Sequence, residues 1–438
     1  MTTNQKSGLQ PENENVGMFS SPSSGGTGGQ PVSGTPRMRK LSIVQLILSL
    51  LAALVLWGMA LGFLSLGLHR ILKTTHSLDE VTSLFMLGFS AGVVGSMLLI
   101  SAWLVGRRLA ERPIQKPVIW LQGLTHPVLL LVLLVMVLLL GQWVASQENV
   151  IQIILLPPLH VLAVGLPLLW FLRAGLHRLP KSGLQRQWGA FTAGLVLTPT
   201  VTFLLEMSML LVIGLVVVMS VAFNPEWSIL LDNLVRRLSH APSPQVVLNI
   251  LAPLFVRPGV VFTVFVVSAV LIPMIEEVFK PMGVWLLIKN SLTPTEGFVV
   301  GALSGVGYTF AESLAMATLP EQWLGAVVAR MGTGLLHMLT AGLMGWGLAR
   351  SWREGNYYRL GWMYFGVVML HAVWNVLSVS SAFVPVYEAV PSPGKWVQQL
   401  STISPLALVL LSVGCLTLLL LINRRLRPRH GDVRESAQ

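Results

Sequence analysis

Charged residues are scarce in this sequence: 11% of its 438 residues carry a charge, where a soluble domain carries roughly a quarter. That shortage excludes a chain whose whole surface is wetted. Cysteine is nearly absent, and the one present, Cys415, lies in the last apolar run. Neither a disulfide framework nor a cysteine metal site can be built from it. Residues 1–40 lack apolar periodicity and are rich in Gly, Ser, Pro, Asn and Gln, so they cannot bury a core and are expected to form a disordered cytoplasmic arm. No short apolar run with a small-residue cleavage site precedes Arg37, Arg39 and Lys40, so the arm does not read as a signal peptide.

What is abundant is hydrocarbon. The chain is 53% hydrophobic, with a mean hydropathy of +0.71. Runs long enough to cross a bilayer, about 20 apolar residues each, fall near 41–66, 82–105, 120–146, 151–172, 189–222, 259–288, 296–318, 323–349, 359–380 and 403–423. The expected fold is therefore all-α, a polytopic membrane protein of about ten transmembrane helices. The formal charge of +11 would suggest nucleic acid in a soluble chain, but the Lys and Arg residues sit in short loops between apolar runs. Basic loops at 107–116, 173–186 and 349–359, with the tail 424–430, alternate with poorer ones. Topology explains them, with both termini cytoplasmic. The expected location is the inner (plasma) membrane, with the lipid bilayer as partner and no nucleic acid.

The organisation expected is an arm at 1–40, five accessory helices at 41–222, an outer loop at 223–258, a catalytic membrane domain at 259–423 and a basic tail at 424–438. Within the outer loop, Trp227, Leu230, Leu231, Leu234, Val235 and Leu238 recur at helical spacing after Asn224 and Pro225, the pattern of a capped amphipathic helix lying on the membrane surface.

A charge at mid-membrane costs at least about 2.5 to 3.5 kcal/mol, so each needs a partner or a purpose. Glu206, His126 and His160, in the earlier spans, read as interhelical hydrogen-bonding groups. Later spans hold Glu276, Glu277, Lys280, Glu312, Arg330, His337 and His371, with Asn375 one turn on. At 1.5 Å per residue, Glu276, Glu277, Glu312, His337 and His371 fall within roughly 8 Å of the midplane. Packing alone is an expensive reason to bring them there. Glu276 and Lys280 share a helical face, while Glu277 points about 100° away. Pro273 and Pro281 remove backbone donors on both sides of the pair, and freed carbonyls in a membrane imply water or a cavity. Gly297, Gly301 and Gly305 recur every four residues, which lets another helix approach closely.

The segments EEVFK (276–280), GVGYTFAES (305–313), RMGTGLLH (330–337) and HAVWN (371–375) resemble, in order and spacing, the PrsW family of intramembrane proteases. That family is distantly similar to the CAAX-type prenyl endopeptidases. Glu276, Glu277 and Lys280 match the family's first motif, Tyr308 and Glu312 its second, His337 its third, and His371 with Asn375 its fourth. Ser313 stands where the family usually has Asn. The resemblance implies an intramembrane endopeptidase in regulated proteolysis of a membrane-protein substrate, for instance an anti-sigma factor.

Peptide hydrolysis needs an activated water, charge stabilisation for the oxyanion and a proton for the leaving amine. With no suitable Ser or Cys nucleophile at the convergence, Glu276 or Glu277 is the candidate base and Lys280 its counter-charge. His337 and His371 would orient the water or stabilise the oxyanion, Asn375 would be a neutral donor, and Glu312 would fix one imidazole. The same residues allow a metal set of Glu312, His337 and His371 holding Zn2+ or another divalent ion, with a glutamate as base. No HExxH helix is present, and the residues alone leave both the metal and the metal-free reading open. Two other classes stand beside the protease. One is a proton-coupled transporter, although no second copy of the Glu-Glu-Lys or His-x-x-x-Asn segments occurs in the first five spans. The other is an inactive membrane scaffold, for which Ser313 is the argument.

Overall fold

The computed structural model describes residues 36–73, 77–112, 126–180, 183–288, 292–316, 319–389 and 395–428. Most of the expected arm and of the tail, and the start of the expected third run, lie outside these residues. All regular elements among the described residues are helices. Ten are long and apolar enough to span a membrane: Arg39–Lys73, Leu78–Leu109, Pro127–Ala145, Val150–Gly175, Leu184–Ser220, Pro258–Trp285, Pro294–Ala315, Pro320–Glu354, Tyr357–Ala382 and Thr402–Leu426. They are counted first to tenth below. The first helix begins at Pro36, so Arg39 and Lys40, placed in the arm by composition, continue the helix of the first span. Proline suits a first helical turn, where its missing N–H costs nothing. His126 is exposed and precedes the third span as its N-cap, rather than bonding inside it.

The seventh span is the most enclosed and its glycines explain how. A Cβ on Gly297 would strike the Gly345 carbonyl, one on Gly301 the Ala341 carbonyl, and one on Gly305 the His337 carbonyl. The expected glycine stripe therefore seats the seventh span directly on the backbone of the eighth, and it sets the position of His337. Gly301→Val should overpack this seam and destabilise the protein by about 1 to 3 kcal/mol, read as a fall in the thermal unfolding midpoint in detergent. An unchanged midpoint would mean the two backbones do not touch.

Two spans carry a π-helical segment just ahead of a proline. In the fifth it is Ala193–Leu197, before Pro199; in the sixth it is Val267–Leu271, before Pro273. Such bulges absorb an extra residue and re-aim the helix that follows. The segment expected to form an outer loop holds two helices. Pro225–Ser239 is capped by Asn224, whose side chain accepts the Glu226 N–H at 3.0 Å; Pro244–Phe255 is capped by Ser243. The first has no fully buried residue among the described ones.

Candidate active site

The sixth span delivers its charged segment through a break. After the π segment, Ile272–Phe279 is α-helical, and the helix is interrupted at Lys280 and Pro281 before a short turn at Met282–Trp285. Pro281 cannot donate to the turn before it. The carbonyls around the break are met by side chains: Trp285 Nε1–H donates to Val278 O at 2.7 Å, Thr198 Oγ1 to Phe279 O at 3.2 Å and Ser304 Oγ to Lys280 O at 2.7 Å. Three side chains, two of them from neighbouring spans, thus tie down the backbone around the break. The segment is thereby fixed where the chemistry needs rigidity.

The carboxylates expected to point apart are drawn together by one cation. Lys280 Nζ lies 2.9 Å from Glu276 Oε2 and 2.7 Å from Glu277 Oε1. It also lies 2.8 Å from His337 Nδ1 and 3.2 Å from His371 Nδ1, with the Tyr308 ring centroid 5.5 Å away. The two imidazoles meet edge to face at 5.1 Å. Lys280 and Glu277 are fully enclosed, whereas Glu276 keeps 6% of its surface.

Proton positions follow from matching donors to acceptors. His371 Nδ1 is 2.9 Å from Glu277 Oε1 and 3.2 Å from Lys280 Nζ; in the neutral ring, donation along the shorter contact places the proton on Nδ1 and leaves Nε2 a lone pair. That nitrogen faces Glu276 Oε2 at 3.9 Å. On the other imidazole, Nδ1 accepts from the ammonium, and Nε2 lies 3.3 Å from Glu312 Oε2. Of the ammonium's contacts, those to Glu277 and His337 are hydrogen bonds, and that to Glu276 Oε2 is an ion pair, this oxygen having no hydrogen-bond donor among the described residues. Glu277 Oε2 is buried with no donor among the described residues.

Glu312 is also paired with Arg330, and Arg330 Nε–H donates to Ser313 Oγ at 3.0 Å. The departure from Asn thus keeps an acceptor at the far end of a chain running Ser313, Arg330, Glu312, His337. Ser313→Ala should lower turnover by up to about tenfold, the worth of roughly 1.4 kcal/mol for a hydrogen bond to a charged group. Ser313→Asn should preserve turnover, measured as initial cleavage rates. Equal rates for all three would detach this chain from the chemistry.

Two residues sit elsewhere than expected. The Asn375 amide donates to Ser268 O at 2.7 Å. In the π segment Ile272 N–H bonds Val267 O, so the next acceptor, Ser268, faces Pro273, which has no N–H to give. Asn375 supplies it. Glu206, read as packing, faces the cluster: its Oε1 is buried without a donor among the described residues, and the charges acting on it are those of Glu276, Glu312 and Lys280. The signal available was that it is the lone carboxylate inside the first five spans. Of the expected metal ligands, His337 and His371 converge, but the carboxylate that joins them is Glu276; one ligand atom from each lies within 4.8 Å of the others.

No curated protein and no solved structure matches the chain. A family model described as PrsW family intramembrane metalloprotease matches residues 187–397. That match begins in the fifth span, so the resemblance reaches further than the segment from Glu276 onward that carried it in the sequence. The fifth span has a structural part in the site, since Thr198 closes the break beside Lys280 and Gly194 lies against the Ser304 carbonyl. A buried Glu/His cluster at the meeting point of four membrane-spanning helices falls within residues 187–397, and it is over these residues that the chain is similar to the PrsW family of intramembrane proteases.

Proposed function

We propose that this protein is an intramembrane endopeptidase of the glutamate type, in which Glu276 and His371 hold and deprotonate the attacking water. The observation that carries the reading is the His371 imidazole. Its Nδ1–H is fixed by Glu277 at 2.9 Å, and its Nε2 lone pair is turned toward Glu276 at 3.9 Å. A water hydrogen-bonded to both fits that gap. The arrangement follows the logic of a base oriented by a third group. Glu276, the carboxylate that keeps some exposure, receives the water proton and returns it to the leaving amine. Lys280 supplies fixed positive charge beside the developing oxyanion, in an enclosed site where such charge acts strongly. Glu312, held by Arg330, keeps the second imidazole in its tautomer.

The family description carries a metal, and the residues as placed do not fit one. Glu276, His337 and His371 are near enough to share an ion, yet Lys280 Nζ is already within hydrogen-bond distance of all three. Glu312, the other expected ligand, is committed to Arg330. The substrate class is a membrane protein entering laterally, and anti-sigma factors are the kind of substrate the family resemblance suggests. The test is cleavage of single-pass reporter proteins in proteoliposomes, with loss in His371→Ala expected; undiminished cleavage would remove His371 from the chemistry.

The proposed orientation puts both termini in the cytoplasm of a cell whose inner (plasma) membrane holds the protein, by the distribution of basic loops. Reporter fusions after Leu238 and after Ala382 should both read as external. A cytoplasmic signal from either would reverse or break this topology.

A further inference from the structure

The group at the centre of the Glu276, His337 and His371 donors is a side chain of the protein itself. We infer that the Lys280 ammonium is the resident cation of this site, standing where a dication would stand and excluding one. The inference deepens the glutamate-type reading, but it concerns occupancy and is measured without substrate, so the two can fail separately.

Distances and donor count agree. Nζ lies 2.9 Å from Glu276 Oε2, 2.8 Å from His337 Nδ1 and 3.2 Å from His371 Nδ1. A dication held by the same three side chains would lie close to a like charge that already contacts each of them. The ammonium's three donors have acceptors within reach: Glu277 Oε1 and His337 Nδ1 by hydrogen bonds at 2.7 and 2.8 Å, and Glu276 Oε2 as an ion-pair partner at 2.9 Å.

Nor can the lysine easily swing away. Its side chain is fully enclosed. Its carbonyl is held by Ser304, which also accepts the Gly283 N–H at 3.3 Å, and Thr198 holds the carbonyl before it. Sequence spacing aids the placement, because a lysine three and four residues after the two glutamates reaches both from one turn away. An ammonium brings charge without an open coordination position, so a water here is activated by a base rather than by coordination.

The test is zinc content and thermal stability of purified full-length protein, equilibrated with excess zinc and then freed of unbound ion. Wild type should retain well under one zinc per chain, and zinc should not shift its melting midpoint. Lys280→Met should retain about one zinc per chain, the ion taking the vacated ligands, and its midpoint should rise by several degrees with zinc. His337→Ala added to Lys280→Met should remove both effects. Should Lys280→Met fail to accumulate, Lys280→Gln keeps a donor without the charge and should show the same gain. A wild type that retains one zinc, lost in His371→Ala, would overturn the inference. So would folded Lys280 variants that bind no more zinc than wild type.

Discussion

Glu276→Gln is expected to reduce substrate cleavage by about 10²- to 10⁴-fold, the span that general acid–base groups contribute, while the protein still accumulates in the membrane. The amide matches the carboxylate in shape and can still hydrogen-bond the water, but it cannot take the water's proton. Because Glu276 keeps some surface, the substitution strands no enclosed carboxylate, and Lys280 keeps its ion pair with Glu277. His371→Ala should cost a similar factor. The double variant should be little worse than either single, since groups acting on one water lose their effect together rather than additively. Single-turnover rates in proteoliposomes make the comparison. A Glu276→Gln protein that cleaved at the wild-type rate would move the base to Glu277, whose buried Oε2 lacks a donor among the described residues.

Lys280→Met should have the largest effect on stability. Removing one partner of an enclosed ion pair costs about 3 to 5 kcal/mol because the remaining charge is stranded. Here two carboxylates lose their shared cation at 2.9 and 2.7 Å. Activity should fall by at least about 10²-fold, as when a preorganised electrostatic group is removed from a transition state. Lys280→Arg should recover stability only in part, since a planar guanidinium needs more room than an ammonium in a fully enclosed space. Melting midpoints and cleavage rates of the three proteins decide the matter. A Lys280→Met protein as stable as wild type would show that Nζ does not hold the pair together.

The spans and the convergence are legible in the sequence because both rest on composition against a bilayer: charge in an apolar run is expensive wherever the helices end up. The ten runs and the polar set from Glu276 to His371 follow from that alone. What periodicity cannot supply is which neighbour each face meets. Glu276 and Glu277 diverge on an ideal helix, yet Lys280, four and three residues on, reaches both with its flexible four-carbon stem. Glu312 shares the seventh span with Tyr308, yet Arg330 from the eighth claims it, so Glu276 joins the histidines instead. Asn375 reads as a free donor because the need it meets, the Ser268 carbonyl, arises from a π segment that a 3.6-residue period does not reveal. Glu206 reads as packing because nothing in its own span shows that it faces the cluster.

The central claim is hydrolysis of a peptide bond inside a membrane segment by water that Glu276 activates. It is tested most directly by incubating purified wild type and Glu276→Gln with a solubilised membrane proteome in 18O-water, followed by mass spectrometry of new chain ends. Wild type should generate new termini within membrane segments, each with 18O in the new carboxylate, and Glu276→Gln should generate none of them. Identical sets of labelled termini from the two proteins, or no new termini from wild type, would contradict the account.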